Sequence, residues 1–250
     1  MKPHRSERRQ YGPLQCIELL AGAEPRLLLV LCHGYGAPGE DLYPLALELL
    51  ELVPEDATTG IRCLLPAAPL SPIEFRPFGG RAWWPLDLER IVEQIASGDL
   101  QSLTQREPAG LPEARATLTA FLNAAGSDRA TPLVLGGFSQ GAMLATDTAL
   151  RGELPTPSGL LLYSGSLLCA SDWIANQSRL TGCPVVQSHG RTDPILPYAA
   201  GLALNELLKG GGAETEFVSF SDGHTIPFEA LEPSARLLGR LLASTASPDQ

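Results

Sequence analysis

Three observations predict an α/β protein, a single domain built on a mostly parallel central sheet with helices on both faces. Short apolar runs of strand length alternate with longer stretches whose apolar residues recur at helical spacing. Several runs are apolar at every position, which suits strands covered on both faces. Four of the strands end in loops that bring glycine together with histidine, serine or aspartate. In such sheets ligands lie beyond the carboxyl ends of the strands, so these loops should share one edge. No repeat and no linker-like stretch divides the chain, so residues 1–250 read as one domain.

Residues 1–9 are basic and lack the apolar stretch of a secretory signal, which predicts a solvated, frayed terminus. Residues 15–20 read as a short edge strand, and residues 21–25 as a turn. Residues 26–32 form a central strand that opens into His33-Gly34-Tyr35-Gly36-Ala37-Pro38-Gly39. A helix is expected over 40–52, with Leu42, Leu45, Leu49 and Leu50 on its apolar side and acids at its positive end. Residues 61–65 form a second central strand.

Residues 70–112 break the alternation. They carry Phe75, Phe78, Trp83 and Trp84, several prolines and a helix expected over 86–95. A connection this long in a compact domain usually has a function. Two readings stand: a cap-like excursion whose aromatics wall a pocket, or a satellite core. As a cap, Phe75, Phe78, Trp83 and Trp84 are candidate substrate-binding residues. Adjacent side chains on extended backbone point to opposite faces, so at most one tryptophan should face the pocket.

Residues 112–125 read as a helix, with Pro112 near its start and Gly126 just beyond. The runs at 133–138, 160–165 and 185–190 are buried strands. Residues 198–209 form a helix stopped by three glycines, 216–220 alternate as a strand, and 234–243 form a last amphipathic helix. Residues 244–250 are expected to be a loose tail.

Composition narrows the partners. Acidic residues outnumber basic ones 28 to 18, for a net charge of −10. Phosphate binding needs a basic face, so nucleic acid and anionic membrane surfaces are disfavoured. The apolar run at 27–32 is far too short to span a bilayer, which argues against stable membrane insertion. The five cysteines, Cys16, Cys32, Cys63, Cys169 and Cys183, show no paired spacing. They read as buried free thiols, in keeping with a reducing cytoplasm. A homodimer is left open.

The chemistry centres on residues 133–143, where an apolar strand runs into Gly137-Phe138-Ser139-Gln140-Gly141 and then into helix-forming residues. Gly-x-Ser-x-Gly between strand and helix is the pattern of a nucleophile elbow. The serine hydroxyl must project from a sharp turn, and glycine two residues to either side avoids a clash that any Cβ would cause. The Gln140 amide then points where an oxyanion forms. A serine hydroxyl needs a base, and the base needs an acid to fix its tautomer. His33 and His189 sit at strand ends before glycine and read as structural histidines; His4 lies in the terminus. His224, in the loop after the 216–220 strand, is the candidate base. The acid is expected between serine and histidine in chain order; Asp193, in the loop after the preceding strand, is the candidate, Asp222, two residues from His224, is a competitor better suited to shaping the turn, and Asp172 ranks lower. Tyr35, in the loop after the 26–32 strand, is the candidate second oxyanion amide beside Gln140.

These pieces resemble the phospholipase/carboxylesterase family of α/β-hydrolases, which includes acyl-protein thioesterases. The matching segments are residues 31–36, Gly137-Phe138-Ser139-Gln140-Gly141, Tyr163-Ser164-Gly165, His189-Gly190-Arg191-Thr192-Asp193 with Ile195 and Pro197, and Gly223-His224. The sequence departs from the family's common pattern at Cys32, Ala37 and Ala142, and its region from Phe75 to Pro112 is longer and richer in tryptophan. The resemblance implies the α/β-hydrolase fold and a serine esterase acting on a small-molecule ester, with no metal and no organic cofactor. It implies Ser139, Asp193 and His224 as catalytic triad and the Tyr35 and Gln140 amides as oxyanion hole. The expected substrates are small to medium acyl esters, cleaved through an acyl-enzyme. The alternatives are acyl-protein thioesterase or lysophospholipase action, or a hydrolase-fold protein that binds an apolar ligand without turnover.

Overall fold

The computed structural model describes residues 4–22, 24–54, 60–126 and 131–245. Eight strands form one sheet. They are β1 (Arg5–Tyr11), β2 (Leu14–Ala21), β3 (Leu27–Cys32), β4 (Ile61–Pro66), β5 (Leu133–Phe138), β6 (Gly159–Tyr163), β7 (Pro184–Gly190) and β8 (Glu214–Phe220). Their order is β1-β2-β4-β3-β5-β6-β7-β8. The pairings of β1 with β2 and of β2 with β4 are antiparallel, and every pairing from β4 through β3 to β8 is parallel. The helices are α1 (Tyr43–Leu52), α2 (Leu88–Ser97), α3 (Leu100–Gln105), α4 (Leu111–Ala124), α5 (Gln140–Arg151), α6 (Ala170–Asn176), α7 (Tyr198–Gly210) and α8 (Leu231–Thr245).

The pleat of the central strands divides the core in two. Leu28, Val30, Leu135 and Leu160 face one side and pack against α4, α5, α6 and α7. Leu27, Leu29, Val134 and Leu161 face the other and pack against α1 and α8. Alternate residues point to opposite faces, so a strand covered by helices on both sides must be apolar throughout. The six residues of β3 are all buried, as the unbroken run at 27–32 requires.

The structure corrects the reading of the amino terminus. Residues 5–11 are not frayed: they form β1, the true edge strand, and β2 is paired on both sides. The turn between them uses Gly12 in the left-handed region, at φ 52°. Six of the seven β1 residues are exposed, so no apolar periodicity marks it. Cross-strand ladder bonds and polar contacts hold it instead, among them Tyr11 Oη to Glu18 at 2.6 Å. Charged side chains on both faces also blunt the edge against further pairing. Residues 1–3, Ala23 of the expected 21–25 turn, and 246–250 of the expected tail lie outside the described residues.

Within 70–112 the helix expected from residue 86 begins at Leu88, where the Asp87 carboxylate caps the Arg90 amide at 3.1 Å. Gly98, at φ 71°, stops it, and Asp99 caps α3 through the Ser102 amide. Neither α3 nor α6 is anticipated by the sequence reading, since each is too short to show a helical period. The five cysteines are buried free thiols. Among the described residues no helix is long and apolar enough to cross a membrane.

One buried carboxylate ties the helices of the α4–α7 layer together. Asp147 on α5 is fully buried and meets Arg115 of α4, Arg151 of its own helix at 3.2 Å and the Trp173 indole N–H of α6 at 2.8 Å. Removing one partner of a buried ion pair leaves uncompensated charge, at a cost of about 3–5 kcal/mol. Asp147→Ala is therefore expected to lose about that much in urea unfolding. A loss below about 1 kcal/mol would mean that both arginines find solvent at no cost.

Candidate active site

β5 ends at Phe138 and α5 begins at Gln140, so Ser139 alone makes the turn. It sits at φ 54°, ψ −118°, a strained conformation for a residue with a Cβ. The Ser139 amide donates to the Tyr163 carbonyl of β6 at 2.9 Å. The flanking glycines are required by β3 as much as by the turn. A Cβ on either Gly137 or Gly141 would run into the Cys32 carbonyl oxygen. The turn is pressed onto the end of the neighbouring strand, which brings Ser139 beside the loop at Gly34.

Tyr35, expected to give one of the two amides, lies in that loop. The Tyr35 N–H donates to no acceptor among the described residues, and the Gln140 N–H, first in α5, has no acceptor within the helix. Both residues line the same cavity as Ser139. The neighbouring Gly36 amide is held by the Arg81 carbonyl at 2.8 Å, and the Tyr35 hydroxyl donates to Glu74 at 3.0 Å.

The Gln140 side chain has a task that the sequence reading missed. It is fully buried; its Oε1 accepts from the Trp83 amide and its Nε2 donates to the Trp84 carbonyl, each at 2.9 Å. One primary amide, donor and acceptor together, thus fastens the start of α5 to the 70–112 excursion. The signal was the polar residue itself, placed where only a buried helix start could hold it.

Asp193 and His224 come from the loops after β7 and β8. The Asp193 side chain is fully buried and its Oδ2 accepts from His224 Nδ1 at 2.6 Å. Its Oδ1 accepts from the amides of Ile195 (2.8 Å) and Leu196 (2.9 Å). Burial acts to raise this carboxyl, but the hydrogen bonds from His224 and from the two amides outweigh it and hold it below the ordinary carboxylate value. The histidine loop is itself fixed: Ser164 Oγ donates to the Thr225 carbonyl at 2.8 Å, and the His224 ring lies 4.8 Å from that of Phe138. A Cβ on Gly190 would meet the Asp222 and Gly223 carbonyls, so glycine there lets the two loops close on each other. Asp222 turns away to its own loop and accepts the Gly223 amide at 2.7 Å. Asp172 pairs with Arg151 on the helical layer.

Ser139 and His224 both line a cavity of about 700 Å³, within the range of small-molecule pockets. Its walls include Met143, Leu167, Leu196 and residues of α2 and α3 such as Ile91, Ile95 and Leu103. A second cleft of about 400 Å³ shares His224 and Phe138 with it. Of the four aromatics expected at the substrate, only Trp84 lines the larger cavity. Trp83 is buried in the core, its indole N–H donating to the His33 carbonyl at 2.9 Å. Phe75 packs edge-on against Tyr35 and over Gly36, and Phe78 is 80% exposed. The excursion is thus both cavity wall and core: its helices face the cavity and its tryptophan pair anchors them.

The comparisons with known proteins give the family and the fold. The family described as phospholipase/carboxylesterase matches residues 17–238. An acyl-protein thioesterase 1 homolog of Dictyostelium discoideum is 23% identical over 222 residues, covering 86% of this chain and 90% of that protein. Acyl-protein thioesterase 1 of Gibberella zeae is 27% identical, covering 73% and 77%. Among solved structures, esterase PE8 superposes with a TM-score of 0.71 at 27% identity, covering 92% of this chain and 98% of its own. Zea mays acyl-protein thioesterase 2 shares the fold at a TM-score of 0.65 and 23% identity, covering 95% and 99%.

The site also predicts a pH dependence of stability. His33 is buried beside the Ser139 turn, its Nε2 accepting from the Ala68 amide at 3.1 Å and its Nδ1 facing the Gly34 carbonyl at 2.8 Å. A second proton would break the Ala68 bond, and burial pushes the imidazole down to about 4 from its ordinary 6.5. The folded pKa is the lower one, so the stabilisation is complete above about 6.5 and is lost as pH falls towards 4. At pH 5 the loss should be about 2 kcal/mol relative to pH 7. In urea unfolding, His33→Gln should lose less than the wild type between these pH values, by about that amount. Equal losses would place the acid sensitivity elsewhere.

Proposed function

The chain belongs to the phospholipase/carboxylesterase family and is a serine hydrolase, and from that premise we propose a carboxylesterase that cleaves small to medium acyl esters through an acyl-enzyme on Ser139. The observation that carries this reading is the 2.6 Å Asp193–His224 contact at the edge of a largely apolar cavity that also exposes Ser139.

In this reading His224 takes the Ser139 proton as Oγ attacks the ester carbonyl. The Asp193 carboxylate fixes the tautomer with the proton on Nδ1, leaving Nε2 free to act as base. The Tyr35 and Gln140 amides receive the tetrahedral oxyanion. Backbone donors held by the β3 and β5 turns need no reorganisation as that charge develops. His224 then protonates the leaving alcohol. Water, activated by the same ring, releases the acid and restores Ser139. Residues 70–112 serve as a cap-like part of a single domain, covering the acyl group with α2, α3 and Trp84.

Thioester cleavage is the second reading, favoured by the names of the curated relatives from Dictyostelium and Gibberella. The same serine chemistry serves both, since a thiolate leaves in place of an alcohol. Parallel kinetics on oxygen and thiol esters of one acyl group discriminate them.

Ser139→Ala should lower kcat by about 10⁶ and abolish fluorophosphonate labelling. Labelling that persists on another serine would falsify the nucleophile. Asp193→Asn should lower kcat on the order of 10⁴, by letting the imidazole take the wrong tautomer. Asp222→Asn should cost little, because that carboxylate serves its own turn. The opposite ranking would transfer the acid to Asp222.

Chain-length selectivity separates the two tryptophans. Each buried methylene contributes about 0.8 kcal/mol, so removing a cavity wall penalises long acyl groups most. Trp84→Ala should lower kcat/KM for octanoate esters several-fold more than for acetate. Both rings are buried, so Trp83→Ala and Trp84→Ala should each destabilise the fold by about 3–5 kcal/mol, but Trp83→Ala should leave the ratio unchanged in protein that remains folded. An unchanged ratio in Trp84→Ala moves the acyl site away from this wall.

A further inference from the structure

We infer that His189 is a positioning residue for Asp193, holding the turn at residues 193–196 so that the carboxylate faces His224. The inference rests on the roles proposed above for Asp193 and His224. His189 lies one residue before the end of β7, which is buried through Gly190, and its side chain is wholly buried. Its Nε2 lies 2.9 Å from the Leu196 carbonyl and 3.5 Å from Asp193 Oδ2. Leu196 is therefore gripped at both ends. Its N–H donates to Asp193 Oδ1, and its carbonyl meets the imidazole. The path is continuous from His189 through Leu196 to Asp193 and on to His224 Nδ1.

The far side of the ring is closely packed. Nδ1 lies 3.1 Å from the Gly165 carbonyl, in the loop that follows β6. From α7, Tyr198 packs edge-on at 6.0 Å between ring centroids, and its hydroxyl donates to Ser219 of β8 at 2.8 Å. Gly201, also on α7, is required by the ring: a Cβ there would collide with Nδ1. Below it, Gln187 donates to the Gly201 carbonyl at 2.8 Å and accepts from Asn205 at 3.0 Å, which fixes α7 against β7. Asp193 is the carboxylate that faces the ring, and Tyr198 is its other titratable neighbour. A neutral imidazole carries one N–H, so only one of the two carbonyls can accept from it, and with the proton on Nε2 that acceptor is Leu196. The arrangement sets the height and angle of the acid from a rigid strand, as precise catalytic geometry demands.

A mutant cycle tests this with 4-nitrophenyl butyrate as substrate. His189→Leu keeps bulk and removes the donor, whereas His189→Gln keeps an N–H that can reach the Leu196 carbonyl. His189→Leu should lower kcat on the order of 100-fold, with KM changed less than about threefold. His189→Gln should recover to within about tenfold of the wild type. In an Asp193→Asn background, His189→Leu should cost less than about threefold more, since its target is already disabled. Multiplying losses, or a His189→Leu enzyme with wild-type kcat, would overturn the inference. Full activity in Asp193→Asn by itself overturns the functional reading instead. Near-UV circular dichroism checks the fold. Should His189→Leu fail to fold, Gly201→Ala completes the same cycle by displacing the ring with a methyl group, and the same additivity decides the outcome.

Discussion

The site depends on one close approach: the turn at Ser139 lies against the carbonyl end of β3. Strain of this kind costs about 1–3 kcal/mol and persists only where the surroundings over-determine it. Here they do. The Ser139 amide is bonded to β6, Gly137 and Gly141 leave no gap at Cys32, and the Gln140 side chain is clamped to the backbone of Trp83 and Trp84. Three parallel strands and the excursion therefore meet at a single residue. A methyl group on either glycine would separate β5 from β3 and carry the serine away from the Gly34–Tyr35 loop.

The acid and base are placed by a different device. Their loops follow the last two strands, β7 and β8, and gain rigidity from polar pairing. Asp193 is held by two amides, the His224 loop by Ser164, and the floor beneath them by Gln187, Asn205 and His189. Buried polar groups of this sort are costly unless satisfied, and satisfied they admit few alternative arrangements. Apolar side chains from α2, α3, α5 and the loops after β6 and β7 line the cavity.

What was legible in the sequence was whatever depends on near neighbours. The β3, β5, β6 and β7 runs announce themselves because both faces are buried, and the end of α7 is announced by its glycines. β1 was illegible for the converse reason: its side chains are mostly polar and exposed, and it is held chiefly by pairing with β2, with Tyr11 packed against Phe121 of the core. α3 and α6 are shorter than two helical turns and carry no readable period. The aromatics of the excursion were legible as important but not as to purpose. Hydrophobicity is the same whether a ring is buried in the core, as in Trp83 and Trp84, or stands in water, as in Phe78, and of these only Trp84 also borders the cavity.

The sequence by itself determined the residue types of the site and their order along the chain, because a turn between strand and helix admits glycine and serine only at set spacings. The tertiary structure alone decided which partners meet. The sequence ranks Asp193 ahead of Asp222 but cannot show the contact; the loops after β7 and β8 bring one carboxylate to His224 and fold the other back on its own loop. The same holds for His189 and His33, which look alike in sequence, each before a glycine at a strand's end. Packing sets one against Asp193 and the other beneath Trp83. Contacts between residues far apart in the chain are fixed by sheet order and by which surfaces must be buried together. No local pattern carries that information.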